Sequence, residues 1–535
     1  MTEKRREKMN RRFYCDERTE VMTAAGKVRG CFVNDLYYFR GIPYAEAERY
    51  EAPKPIEHWD GVVEAVTYGP VAPTVQKPDV TSMNALSQQP LFGYRFWPED
   101  EKCQYINVWT KNPQSGRKRP VMVWVHGGGF STGSSVEQMS YDGANLCRDG
   151  DLVVVSFNHR LNILGFLDMS DFGEKYWNSG NAGMADIVEA LKWVRKNIDK
   201  FGGDPDNVTL FGQSGGGGKI QTLLQTPAAD GLYNRVIFQS GLMHIKDTED
   251  RQPKVSKKMA NALVAKLGLT KETFEEIKKV PFEKLREAFL SVCKDFEGEG
   301  MNVGMMLGPV HNDWYLGSPL DFGFREHAKS IPVICGSVLC ETVLYMPTFT
   351  PYTVSAEKRQ EMLTELFGDD KDYMIDLFEK AYPGRDIMDL YNLDRSTREG
   401  TVEFADAMAG FGNKVWNYMI SYQLDYFGGM PSYHGICLPL VFGNTEYVDA
   451  LNEPDAVALS QKMHQAWINF ATYGDPNGGD VPEWKQYKTG ECGTMIFDKQ
   501  CEMRYDYDRE LISEYQKKAK MSNSFVDIKM PEPEA

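Results

Sequence analysis

Val208-Thr209-Leu210-Phe211 leads into Gly212-Gln213-Ser214-Gly215-Gly216, and Gly217-Gly218 then opens onto Lys219-Ile220-Gln221-Thr222-Leu223-Leu224. A short apolar run that breaks on glycine and resumes at helical spacing predicts a strand, a sharp turn and a helix, with Ser214 on the turn. A serine flanked by glycines at such a turn presents its hydroxyl clear of its own backbone. Upstream, Val121-Met122-Val123-Trp124-Val125 runs into His126-Gly127-Gly128-Gly129-Phe130. A glycine-rich loop after a strand offers backbone N–H groups that can hold an oxyanion. A second Gly-x-Ser-x-Gly match, Gly129-Phe130-Ser131-Thr132-Gly133, is followed by polar, turn-forming residues with no helical period, which assigns Ser131 to the loop and leaves Ser214 as the candidate nucleophile.

Further apolar runs extend the pattern. Strands are expected at Tyr105–Trp109, Val121–Val125, Leu152–Phe157, Val208–Phe211, Val236–Gln239 and Val333–Cys335, several of them continuous enough to be buried on both faces. Met184, Ile187, Leu191, Val194 and Ile198 alternate spacings of three and four and stop at Gly202-Gly203, as an amphipathic helix does. Strands alternating with helices predict a mostly parallel sheet covered on both sides, an α/β architecture. Helical patterns at Lys254–Asp295 and Ala356–Lys380 interrupt the strand series and are expected to form the walls of a cleft.

Composition narrows the function classes. The formal net charge of −16 argues against nucleic acid or an anionic membrane as the main partner. No run reaches the roughly 20 apolar residues a membrane span needs, and the charged first 19 residues lack the apolar core of a secretory signal. The ten cysteines form no metal-type pairs, so neither a metal nor a cofactor is expected. Cys147, Cys293 and Cys335 lie in apolar surroundings, as reduced packing thiols in a cytoplasmic protein would.

A serine hydroxyl needs a base, and the base a group to orient it. In chains with this turn the order is serine, acid, histidine. Of the histidines well downstream, His434 stands in the turn-like Pro431-Ser432-Tyr433-His434-Gly435; His464 lies inside a helical pattern; His311, after Pro309-Val310, stays open, as does His327. Glu341 follows the apolar run Pro332–Gly336 at a suitable distance to supply the carboxylate.

Several motifs, in order, resemble the type-B carboxylesterase family of the α/β-hydrolase fold, which includes the para-nitrobenzyl esterases and cholinesterases. They are Phe39-Arg40-Gly41-Ile42-Pro43-Tyr44-Ala45, Cys103-Gln104-Tyr105-Ile106-Asn107-Val108-Trp109, the run Phe201–Thr209 before the elbow, His434-Gly435 with Leu438-Pro439 and Val441-Phe442-Gly443, and Asn469-Phe470 to Gly474-Asp475-Pro476. The resemblance implies a serine esterase working through an acyl-enzyme. Ser214 would be the nucleophile, His434 the base, Glu341 its carboxylate, and Gly128, Gly129 and Gly215 the oxyanion hole. It also implies one domain over residues 21–520, with helical insertions near 245–330 and 345–430, a charged extension at 1–20 and a polar tail at 521–535. The partners implied are a small ester and water; the sequence carries no signal for an oligomeric state.

Departures from the family are as informative. Gln213 replaces the usual glutamate and removes a charge that would favour cationic substrates. Gly215 replaces the usual alanine and begins a four-glycine run, read here as a packing device. Gly218-Lys219 is not a phosphate loop, because Gln213 and Ile220 fill the other required places. Cys103 faces Ala72-Pro73 where a family disulfide partner would stand, and Arg49 with Glu101 matches a structural ion pair. Phe130, Gln213, Met305 and Leu307 are the candidate pocket residues. Together these features predict a broad esterase for small to medium uncharged esters. A lipase or amidase on the same triad, and a silent binding protein of the same fold, are the alternatives.

Overall fold

The computed structural model describes residues 13–75, 91–242, 248–298, 307–343, 354–394, 396–426 and 428–520. Twelve strands form the main sheet: β1 (Phe13–Tyr14), β2 (Cys31–Val33), β3 (Leu36–Pro43), β4 (Tyr105–Thr110), β5 (Arg119–Val125), β6 (Val153–Phe157), β7 (Gly203–Gln213), β8 (Arg235–Gln239), β9 (Val333–Val338), β10 (Val415–Ile420), β11 (Gly493–Phe497) and β12 (Glu502–Tyr505). Their spatial order is β1-β2-β3-β4-β6-β5-β7-β8-β9-β10-β11-β12. The block from β6 to β11 is parallel, and antiparallel pairs flank it. All six expected strands are present, and every residue of β6, β9, β10 and β11 is buried.

Helices cover the sheet on both faces, and two apolar clusters fill the layers. The helix read from Met184 to Ile198 is α1 (Ala182–Asn197), continued by a 3₁₀ turn that Gly202 closes in the left-handed region at φ 80°. The nucleophile helix, α2, spans Gly215–Leu224. Both insertions contain helices, at Thr248–Lys266 and Phe282–Gly298 in the first and at Ala356–Phe367 and Lys371–Ala381 in the second.

Two expected boundaries need correction. The second insertion cannot run to residue 430, because β10 pairs in parallel with β9 and β11 in the middle of the sheet. Its Val-Trp-Asn-Tyr-Met-Ile mixes in an asparagine and follows a helix closely, which hid it. Residues 13–20 are not an extension either: Phe13 and Tyr14 pair with Val33 and Phe32, and Tyr14 stacks on Phe32 at 4.6 Å between ring centres. The tail at 521–535 lies outside the described residues.

Candidate active site

β7 ends on Gln213, and Ser214 occupies the turn into α2 with φ 56° and ψ −130°, a strained conformation for a residue with a side chain. Its N–H donates to Gln239 O at 2.8 Å, and its carbonyl accepts from the N–H of Gly217 at 2.8 Å, so the turn is braced by β8 on one side and by its own helix on the other. Ser131, the other candidate on pattern alone, lies in a turn closed by its N–H and that of Thr132 donating to Gly128 O.

Glu341 and His434 come together because their flanking residues pair. Cys340 bridges Tyr433, and the Cys340 N–H donates to Ser432 O at 3.2 Å. The His434 Nδ1–H then donates to Glu341 Oε2 at 2.5 Å, while Glu341 Oε1 accepts from the Val338 N–H at 3.0 Å. Glu341 is fully buried and His434 nearly so. The far imidazole nitrogen, Nε2, lies 3.0 Å from Gln213 Nε2, so the residue before Ser214 touches the histidine directly. The other downstream histidines have different surroundings. His464 Nδ1 donates to Val441 O at 2.8 Å, His311 packs on Phe322, and His327 lies 3.9 Å from Asp230.

The glycine loop folds over the elbow. Gly128 and Gly129 take φ of 81° and 60°, conformations that open to glycine without cost. A Cβ on Gly127 would stand 3.3 Å from Ser214 Cβ, and one on Gly215 would fall 2.4–2.5 Å from Gly129 N, Cα and O. No hydrogen bond among the described residues occupies the N–H groups of Gly128, Gly129 or Gly215. The four-glycine run is a packing device at three of its positions: Gly216 abuts Val125 O and Gly217 abuts Gly241, whereas Gly218 has ordinary room beside Phe130.

The pocket candidates separate. Gln213 belongs to the histidine's contacts. Phe130 lines the loop with its ring edge on Phe166 at 5.0 Å. Leu307 is packed into the core, and Met305 lies outside the described residues. Arg49 Nε donates to Glu101 at 2.5 Å and Nη2 to its other oxygen, while Nη1 caps the carbonyls of both Ile277 and Val280, a structural clasp. Cys103, the cysteine of the second motif, forms no disulfide.

Two buried groups and one half-buried group near the site, Asp394, Lys219 and Glu137, escaped the sequence reading. Asp394 sits behind Glu341, and burial together with that carboxylate pushes its carboxyl up to about 7. Lys219 and Glu137 lie behind the glycine loop. Lys219 closes a glycine run and Glu137 stands in a turn-forming stretch, whereas Asp394 opens the charged run Asp394–Glu399 and carries no mark in the sequence. Among the described residues no group of three or more His, Cys, Asp or Glu is placed to hold a metal ion.

The carboxylesterase family model matches residues 17–514. The chain belongs to the carboxylesterase family. It is 32% identical over 507 residues to the para-nitrobenzyl esterase of Bacillus subtilis (strain 168), covering 92% of this chain and 97% of that one. It is also 32% identical over 510 residues to the phenmedipham hydrolase of Pseudarthrobacter oxydans, covering 91% and 97%. An esterase from Clostridium hathewayi, one that can hydrolyse aliphatic aromatic polyesters, superposes with a TM-score of 0.87 at 40% identity over 95% of this chain and all of that one. The fold is the α/β-hydrolase fold and the protein is a carboxylic-ester hydrolase. No helix among the described residues is long and apolar enough to cross a membrane.

Proposed function

We propose that this carboxylesterase uses Ser214 as nucleophile, His434 as base and then acid, Glu341 as the carboxylate that orients it, and the N–H groups of Gly128, Gly129 and Gly215 as its oxyanion hole. The observation that carries the reading is the 2.5 Å hydrogen bond from His434 Nδ1–H to Glu341, which leaves Nε2 as the lone pair turned toward the elbow. Gln213 donates to that lone pair at rest and yields it as Ser214 engages. Ser214 Oγ attacks the ester carbonyl, its proton passes to His434 Nε2, and the carbonyl oxygen gains a negative charge in the glycine loop. Collapse of the tetrahedral adduct breaks the bond to the alcohol, which leaves with the proton from His434. Water repeats the sequence on the acyl-enzyme, releasing the acid and restoring Ser214. Loss of one oxyanion donor costs about 3–4 kcal/mol of barrier in such sites.

Small to medium uncharged esters suit the site, because the amide of Gln213 brings no charge to attract a cationic substrate. The polyester-cleaving relative adds esters of aromatic acids to the class. The buried thiols of Cys103, Cys147 and Cys335 support a reducing, cytoplasmic setting. The test is hydrolysis of para-nitrophenyl acetate, butyrate, hexanoate and benzoate by the protein and by Ser214→Ala. Turnover that vanishes in the variant is expected. Turnover that persists would put the nucleophile elsewhere, and failure of the folded protein on the whole panel would overturn the substrate class.

A further inference from the structure

Lys219 lies on α2, five residues after Ser214, with no exposed surface. Lysines are almost never fully buried unless something in the interior uses the charge. Here the ammonium points to the back of the glycine loop. Nζ donates to His126 O at 2.9 Å and reaches Gly127 O at 3.4 Å. Gly127 O also accepts from the Nδ1–H of His126 at 3.0 Å. His126 can serve as that donor while neutral, and burial with Lys219 nearby keeps it so by holding its pKa well below the ordinary value. A Cβ placed on Gly133 would stand 2.7 Å from Gly127 O, 3.0 Å from His126 Nδ1 and 3.4 Å from Glu137 Oε1, so one small volume behind the loop gathers all three atoms.

The Gly127 carbonyl belongs to the same planar peptide as the Gly128 N–H, and in a trans peptide the two point in opposite directions. Fixing the carbonyl from behind therefore aims the N–H forward, toward the reacting ester, and a cation on the oxygen strengthens the amide as a donor. We propose that Lys219 is a positioning residue of the oxyanion hole, whose buried ammonium holds the His126 and Gly127 carbonyls so that the Gly128 N–H faces the developing oxyanion. The inference rests on the oxyanion-hole reading above. The groups around Lys219 are Glu137, His126 and His159. The two imidazoles stack at 4.9 Å and are both kept neutral by burial, leaving Glu137 as the counter-charge. Burial pulls the Lys219 amine down to about 7, opposed by Glu137; a neutral amine still donates hydrogen bonds, so only the charge is lost on deprotonation.

Lys219→Met removes both donor and charge, and Lys219→Gln keeps a neutral donor. Thermal unfolding establishes that each variant is folded. The expected result for Lys219→Met is a fall in kcat of about 10- to 100-fold with KM changed less than threefold, since a transition-state contact is lost. Its inhibition constant for an alkyl trifluoromethyl ketone, whose adduct oxygen occupies the oxyanion hole, should rise by a similar factor. Lys219→Gln should recover part of both, and carries the test if the methionine variant does not fold. A folded variant with kcat within twofold of the original, or with kcat lowered and ketone affinity unchanged, would overturn the inference while Ser214→Ala stays inactive. Persistent turnover by Ser214→Ala would instead bring down the site reading on which the inference rests.

Discussion

On one side of Ser214 a carboxylate and a base meet at 2.5 Å, Glu341 with His434; on the other, Glu137 and Lys219 act on the same loop without joining in a relay. In the proposed mechanism His434 takes up and returns the proton while Glu341 orients it, and His434 keeps 8% of its surface exposed. In the second pair, Lys219 has no exposed surface and its Nζ meets the His126 and Gly127 carbonyls, while the half-buried Glu137 accepts from the Tyr141 hydroxyl. The first pair, in that mechanism, gains and loses a proton with every turnover, whereas Lys219 acts through hydrogen bonds that fix the orientation of the loop peptides.

The front pair should break hardest. Glu341→Gln keeps the shape but offers His434 an amide that can stabilise the wrong tautomer, and kcat should fall about 10³- to 10⁴-fold with KM little changed. Steady-state kinetics on para-nitrophenyl butyrate check it. A loss under tenfold would mean that the backbone pairing of Cys340 with Tyr433, rather than the carboxylate, orients the imidazole.

Next in size is the seam between the two regions. Gly215→Ala places a Cβ within 2.4–2.5 Å of Gly129 backbone atoms, so the loop must retreat from the elbow. The expected result is a drop in kcat of about tenfold or more, with overpacking that costs about 1–3 kcal/mol of stability. An unchanged variant would mean that the loop shifts freely and the close approach is incidental.

A smaller effect, confined to pH, follows from Gln213. Gln213→Glu sets a carboxylate beside His434 Nε2, now 3.0 Å from the amide, and a negative charge at that range favours the imidazolium. The acid limb of the kcat/KM profile should move up by about one pH unit, with activity near pH 9 largely kept. An unmoved limb would show that the amide turns away from His434 in the working enzyme.

The unequal legibility of the two regions has a physical cause. The elbow, the glycine loop and the order Ser214, Glu341, His434 are patterns along the chain, written in glycines and apolar runs whose local conformations force the turns. α1 and the parallel block were readable for the same reason, through period and burial. Lys219 was visible only as the end of a glycine run, because its role depends on Val125–Gly127 lying against Gly216 and α2, a contact made across two strands. The true edge of the second insertion was hidden likewise: Asn417 in β10 looks polar until Arg398, Thr494 and Cys335 are seen to satisfy it. Side chains that serve a tertiary partner leave no period to read.

The rear pair also predicts the smallest measurable effect, on stability rather than rate. Burial pushes the Glu137 carboxyl up to about 7 from an ordinary value of 4.5, with Lys219 opposing and Tyr141 donating a hydrogen bond at 3.4 Å. Between those two pH values the folded protein keeps a proton that the unfolded chain has released, so this group's contribution is full below about 4.5 and is lost as pH rises through about 7. Lys219 has the opposite sign: its folded value near 7 lies below the ordinary 10.5, so its penalty is full in acid and is relieved as pH climbs from about 7 toward 10.5. The two together put a trough in stability near neutrality. Glu137→Gln removes the falling limb, so the melting temperature of the variant relative to the original protein should rise steadily between pH 5 and 7. A difference that stays flat over that range would mean that Glu137 reaches water, and that Lys219 holds the loop without a counter-charge.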